Sequence, residues 1–333
     1  MKLNATYIKI RDKWWGLPLF LPSLILPIFA HINTFAHISS GEVFLFYLPL
    51  ALMISMMMFF SWAALPGIAL GIFVRKYAEL GFYETLSLTA NFIIIIILCW
   101  GGYRVFTPRR NNVSHGDSRL ISQRLFWQIV FPATLFLILF QFAAFVGLLA
   151  SRENLVGVMP FNLGTLINYQ ALLVGNLIGV PLCYFIIRVV RNPFYLRSYY
   201  SQLKQQVDAK VTKKEFAIWL LALGALLLLL CMPLNEKSTI FSTNYTLSLL
   251  LPLMMWGAMR YGYKLISLLW AVVLMISIHS YQNYIPIYPG YTTQLTITSS
   301  SYLVFSFIVN YMAVLATRQR AVVRRSEERR VGK

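Results

Sequence analysis

The chain has 333 residues, of which 58% are hydrophobic and only 12% charged, with a formal net charge of +18. A soluble domain carries roughly 25% charged residues, so this composition excludes a soluble fold and points to one helical membrane domain, whose backbone groups are paired within each helix. The positive charge does not call for a nucleic-acid partner, because the lysines and arginines are scattered through short loops as a topology signal.

The expected fold is an all-α, polytopic integral membrane bundle of about ten helices with both termini cytoplasmic. Apolar stretches mark spans at Trp14–Asn33, Val43–Phe60, Ser61–Val74, Glu84–Phe106 and Leu125–Leu149. Five more follow at Leu163–Arg188, Phe216–Pro233, Tyr245–Met259, Lys264–Tyr281 and Ser299–Thr317. A span takes about 20 residues, fewer where it is broken or short. The first follows a cytoplasmic stretch, residues 1–13. It holds Pro18, Pro22 and Pro27 without a small-residue cleavage site after Phe29, which suits a retained, kinked helix rather than a leader.

The run from Val43 to Val74 reads as one long tilted helix or as a hairpin of two short ones, and charge favours the hairpin. With two crossings there, Arg104, Arg109, Arg110, Arg119 and Arg124 fall inside, as do the seven cations from Arg188 to Lys214. Arg75, Lys76, Arg152 and Lys237 are left outside. A single crossing would put the Arg104–Arg124 loop outside, against the positive-inside bias. The loop joining the halves 14–190 and 216–317 contains RNPFYLRSYYSQLKQQ, in which aromatic residues alternate with cations. That pattern suits an amphipathic segment lying at the membrane surface.

Chemistry-bearing residues are sparse. Cys99, Cys183 and Cys231 sit singly in different spans and read as small apolar residues, with a Cys99–Cys183 redox pair as the sharper alternative. His31, His37 and His279 fall near the outer face and could ligate a metal or haem. No ligand spacing links them, so ordinary interfacial hydrogen bonds are the plainer reading. The acidic residues lie in loops or at helix ends, which argues against a carboxylate proton relay. A neutral-solute permease using Asn91, Gln141, Asn168 or Asn176 stays open, although such amides also bridge helices. No phosphate loop, nucleophile elbow or paired-carboxylate domain occurs, so no catalytic, cofactor or metal site is expected in this chain.

Four strings in order resemble the membrane-associated sensor domain of the first type, the MASE family of bacterial signalling proteins. They are YLPLALMI with Pro49, SWAALPGIALGIF with Trp62, Pro66 and Gly67, VGNLIGVPL with Gly175, Asn176, Gly179 and Pro181, and LLPLMMWGAMRYG with Trp256, Arg260 and Gly262. The likeness spans residues 14–317. Physical roles fit these positions: Gly175 and Gly179 allow close helix approach, Gly262 closes a turn, and Arg260 marks its inner side. One departure is Asn176, which stands where the family has an aspartate, so a ligand requiring that charge is in doubt.

The run from KIRDKWWGLPLFLPS to ATRQRAVVRR looks especially similar to the membrane half of cyclic-di-GMP phosphodiesterases built from this sensor, a degenerate GGDEF domain and a catalytic EAL domain. The resemblance implies a bacterial inner-membrane sensor and anchor. Its partners would be the bilayer, an unknown small signal, the absent cytoplasmic domains and a second copy. An EAL domain would need a divalent metal such as Mg or Mn. Alternatives are the neutral-solute permease, or the sensor half of a GGDEF diguanylate cyclase or histidine kinase. Residues 318–324 read as the start of a cytoplasmic linker. Arg325–Lys333, RSEERRVGK, resemble a translated sequencing adapter, a charged string expected to break the helix pattern.

Overall fold

The computed structural model describes residues 13–38, 43–106, 129–151, 163–192, 194–209, 211–231, 243–283 and 291–331. Eleven α-helices lie among these residues: α1 (Leu17–Thr34), α2 (Leu48–Phe60), α3 (Leu65–Leu80), α4 (Phe82–Phe106), α5 (Phe131–Ser151), α6 (Leu163–Arg191), α7 (Tyr195–Gln206), α8 (Lys213–Cys231), α9 (Thr243–Tyr261), α10 (Tyr263–Asn283) and α11 (Tyr291–Val331). The only β-structure among them is a two-residue antiparallel pair, β1 (His37–Ile38) with β2 (Val43–Phe44). Among the described residues, six apolar helical stretches are long enough to cross a membrane: Leu17–Thr34, Leu48–Leu80, Phe82–Val105, Gly164–Arg191, Tyr263–Ser280 and Leu295–Arg324. The chain is a polytopic helical membrane protein. It divides into two compact units, Met1–Cys183 and Tyr184–Lys333.

In the first unit the stretch Leu48–Leu80 reverses direction. The Asn33 side chain, at the end of α1, accepts a hydrogen bond from the Leu48 N–H at the start of α2, 3.2 Å away. Gly67, early in α3, lies instead against Pro18 and Leu19 at the start of α1. Gly71, one turn on, meets Pro22, Ser23 and Leu26. So α2 runs back along α1, and α3 runs forward beside it. The hairpin favoured by charge is therefore the geometry of Val43–Val74. The turn is made by a 3-10 segment, Ser61–Ala64, which Ser61 enters at φ +54°, a left-handed value uncommon outside glycine.

Close approach of α1 and α3 depends on what the proline in α1 leaves behind. Pro22 has no N–H to bond the Pro18 carbonyl four residues earlier. A Cβ on Gly67 would sit 2.6 Å from that oxygen and 2.5 Å from the Leu19 oxygen. Glycine alone lets the α3 backbone settle there, where its Cα–H groups face the carbonyls. Along α6, Gly175 and Gly179 form the same kind of stripe. A Cβ at Gly175 would lie 2.2 Å from the Tyr47 oxygen, and one at Gly179 would lie 2.6 Å from the Ala51 Cβ. The Tyr47 N–H also donates to the Ala171 carbonyl at 3.0 Å, and the Phe44 N–H to Asn168 Oδ1 at 3.1 Å. Thus α2 and α6 run parallel, with small residues at their seam.

In the second unit α10 and α11 are antiparallel, joined by polar pairs spaced along both. The Tyr263 N–H donates to Thr317 Oγ1 at 2.9 Å, the Trp270 indole to Ser306 Oγ at 3.0 Å, and the Ser277 and Tyr302 hydroxyls pair at 2.9 Å. Between α8 and α9, the Trp219 indole donates to the Leu253 carbonyl at 3.0 Å. Gly257 makes room for that ring, since an added Cβ would lie 2.4 Å from Trp219 Cζ2.

Several expected boundaries are corrected. The second span does not begin at Val43, because Val43 and Phe44 pair with β1 and helix starts at Leu48, with Pro49 in its first turn. The tenth helix is not confined to Ser299–Thr317 but runs from Tyr291 to Val331. Its continuation also overturns the expected break at Arg325. Arginine and glutamate are good helix formers, so a charged sequence can extend a helix beyond its apolar part. The start expected at Leu125 lies outside the described residues.

Gly67→Ala should lower stability by about 1–3 kcal/mol through overpacking against α1. Gly101→Ala, where an added Cβ meets nothing within 4 Å, should be neutral or slightly stabilising. Thermal unfolding of both variants in one detergent checks this.

Candidate functional site

The densest polar junction among the described residues lies where α7 and α9 end. The last carbonyls of any helix lack intrahelical donors, and the dipole makes that end negative. Here two such ends meet the cations of α11. Arg320 donates through its guanidinium to the Arg260 carbonyl at 2.9 Å, to the Met259 carbonyl at 2.9 Å and to the Gln206 carbonyl. One turn on, Arg324 donates to the Gln205 carbonyl at 2.9 Å. Three helices are thereby fastened by two side chains.

Gly262 is the pivot of the same junction. It links α9 to α10 with φ +83°, a conformation that a side chain disfavours. An added Cβ would lie 2.8 Å from Gln206 Cβ, 3.0 Å from the Gln206 oxygen and 3.3 Å from Thr317 Oγ1. Around this turn the Lys264 N–H donates to Gln206 Oε1 at 3.1 Å, and its ammonium donates to Gln202. The Asp208 N–H donates to the Arg260 carbonyl at 2.9 Å, while the Arg260 guanidinium pairs with the Asp208 carboxylate at 3.1 Å and approaches Glu215 at 4.0 Å. Tyr199 anchors α7 by donating its hydroxyl to the Lys264 carbonyl at 2.9 Å. Burial, reinforced by the neighbouring Tyr195 and Tyr263, pushes that phenol above its usual pKa and keeps it a donor.

The sequence-selected residues are distributed over both units. Trp256, Arg260 and Gly262 belong to this junction or its edge, with the Trp256 ring edge-on to Tyr261 at 6.0 Å. In the first unit, Pro49 and Pro66 occupy first turns of helices, and Trp62 is largely exposed in the 3-10 turn. Gly67, Gly175 and Gly179 stand at the close helix contacts described above, and Pro181 lies within α6. Asn176 is fully buried and donates from Nδ2 to the Ile129 carbonyl at 3.2 Å; its Oδ1 has no partner among the described residues.

Of the three sequence-selected histidines, His31 and His37 belong to the first unit and His279 to the second. His31 is exposed beside the Phe35 ring, His37 lies in β1 and His279 is exposed on α10. Among the described residues no group of three His, Cys, Asp or Glu side chains could hold a metal ion. Cys99 and Cys183 are free and buried. Cys99 lines a small apolar cavity with Ile54, Met57, Ile96, Trp100 and Tyr103.

Arg320, Thr317 and the end of α7 are the residues that sequence reasoning missed. Arg320 was visible as an inner cation, but no local signal pairs it with carbonyls 60 and 114 residues away. Arg320→Gln should lower stability by about 1 kcal/mol, since charged donors contribute about 1.5–3 kcal/mol and this one is partly exposed to solvent screening. Amide exchange at Asp208 should accelerate with it, and Arg320→Lys should restore only part of the protection.

A family model described as MASE1 matches residues 15–320. Over 325 residues, 98% of its length, the chain is 99% identical to the cyclic di-GMP phosphodiesterase PdeF of Escherichia coli (strain K12), of which it spans 44%. It is 23% identical over 305 residues to the probable cyclic di-GMP phosphodiesterase PdeA of the same organism, an alignment covering 89% of this chain and 40% of that protein. The chain thus spans less than half the length of either relative. No solved structure matches it.

Proposed function

The chain belongs to the MASE1 family, and from that premise we propose that it is the membrane-embedded sensory and anchoring module of a cyclic di-GMP phosphodiesterase. The observation carrying this reading is the 99% identity over 98% of the chain to PdeF, whose remaining length lies outside the match. Hydrolysis belongs to a cytoplasmic domain of the EAL kind, beyond a degenerate GGDEF domain, with a divalent metal such as Mg or Mn. The module's part is to receive a small signal in the inner membrane and to set the position of α11, which leads toward those domains. Two copies act together in the assembled protein.

Geometry supports α11 as the output element. It is one uninterrupted helix from Tyr291 to Val331, and beyond its apolar part it is gripped by the ends of α7 and α9. A signal that repacks α9 against α10 moves the Gly262 turn and so alters that grip. Such a switch requires two packings separated by a few kcal/mol.

Purified chain in detergent with Mg or Mn should not turn over cyclic di-GMP, and measurable hydrolysis would refute the assignment of catalysis to other domains. In the full-length relative, Gly262→Ala should shift the hydrolysis rate without removing the protein from the membrane. An unchanged rate at normal membrane abundance would count against the junction as the output path.

A further inference from the structure

Helix α7 presents three distinct faces. Tyr195, Tyr199, Gln202 and Gln206 turn toward the rest of the second unit, with Tyr199 and Gln206 bonded to Lys264 and Gln202 to its ammonium. Ser198, Ser201 and Gln205 form a polar strip. Between these lies a third face of Leu196, Arg197, Tyr200 and Lys204, all exposed, with Leu196 at 50% and Tyr200 at 60%. The Lys204 ammonium lies over the Tyr200 ring, 4.8 Å from its centroid.

An apolar residue and an aromatic ring flanked by two cations, on a helix with no aspartate or glutamate, match the boundary between acyl chains and anionic headgroups. Position agrees. The apolar helix α6 ends at Arg191, and the Tyr195 N–H already donates to the Asn192 carbonyl at 2.9 Å, so α7 begins within one turn of a membrane-crossing helix. Exposed Val190 and Phe194 continue the apolar surface between them.

We infer that Leu196, Arg197, Tyr200 and Lys204 seat α7 on anionic phospholipid headgroups, and that this seating is passed to α11 through the Gln205 and Gln206 carbonyls held by Arg324 and Arg320. The occupant is the lipid surface, because both cations are exposed where phosphate can reach them while Leu196 and Tyr200 enter the acyl boundary. Tightening α7 against the headgroups fixes the carbonyls that hold the exit helix. The inference rests on the chain spanning a membrane, and it holds whatever other signal the module receives.

The test uses the whole chain in nanodiscs of phosphatidylcholine, with and without phosphatidylglycerol, read by native mass spectrometry for retained lipid and by hydrogen exchange. The wild type should retain phosphatidylglycerol preferentially. R197Q/K204Q should lower that preference about thirtyfold, about fivefold for each cation, whereas R197K/K204R should keep it. R75Q, on the exposed end of α3, should leave it unchanged. Phosphatidylglycerol should slow amide exchange in Tyr195–Gln206 and at the Arg320 turn of α11 in the wild type, and only in α7 in R320Q/R324Q, whereas slowing at that turn in the double variant overturns the relay to α11. Equal retention by R197Q/K204Q, or no lipid preference in an inserted wild type, overturns the inference while leaving the sensory reading standing. Failure of the chain to insert overturns both.

Discussion

A helix that ends near a membrane surface leaves several carbonyls without donors and the negative pole of its dipole exposed. Water can satisfy one such end, but two ends brought together need shared donors. The arginine fork suits this, because its N–H groups point in several directions from one rigid plane. At the ends of α7 and α9, Arg320 fills that role, and α11 cannot shift along its axis without surrendering three carbonyls at once. The left-handed turn at Gly262 exists in the same space, since any side chain there would displace Gln206 from Arg320.

The first unit solves a related problem with the opposite chemistry. Proline in α1 removes a backbone donor where the bilayer supplies no substitute, and the α3 glycine brings a Cα–H surface against the freed carbonyl instead. The small-residue seam between α2 and α6 follows the same logic, with Gly175 and Gly179 letting two backbones meet where lipid gives helices little hydrophobic reason to associate. Ser61 then carries the left-handed conformation that reverses the chain, allowing two helices, each shorter than a full crossing, to flank α1 on separate paths. Both units thus depend on backbone contacts at positions where a single methyl group would not fit.

Much of this was legible in the sequence, because bilayer-spanning helices announce themselves by composition. The reversal of Leu48–Leu80 agrees with the hairpin that counting the Arg104–Arg124 cations as inside favoured, and Gly262 followed from the turn between two apolar runs. What could not be read was pairing across long separation. Gly67 was visible as a glycine near a turn, but not as the partner of an oxygen freed by Pro22. Arg320 looked like one inner cation among several, because nothing local distinguishes an arginine facing water from one facing two helix ends. The length of α11 was misjudged because apolar character ended before helical propensity did.

That length has a geometric meaning of its own. An α-helix advances 1.5 Å and turns 100° with each residue, so α11, at 41 residues, is about 60 Å of continuous rod with a fixed angular phase along it. Whatever a helix of this kind carries is aimed by arithmetic as much as by contact. One added residue beyond Arg324 would swing the load by about 100°, while seven would return it to nearly the same heading about 10 Å farther out. The spacing between the arginine clamp and any load carried beyond it is therefore a compass setting, which evolution can alter by insertion or deletion without touching a membrane helix.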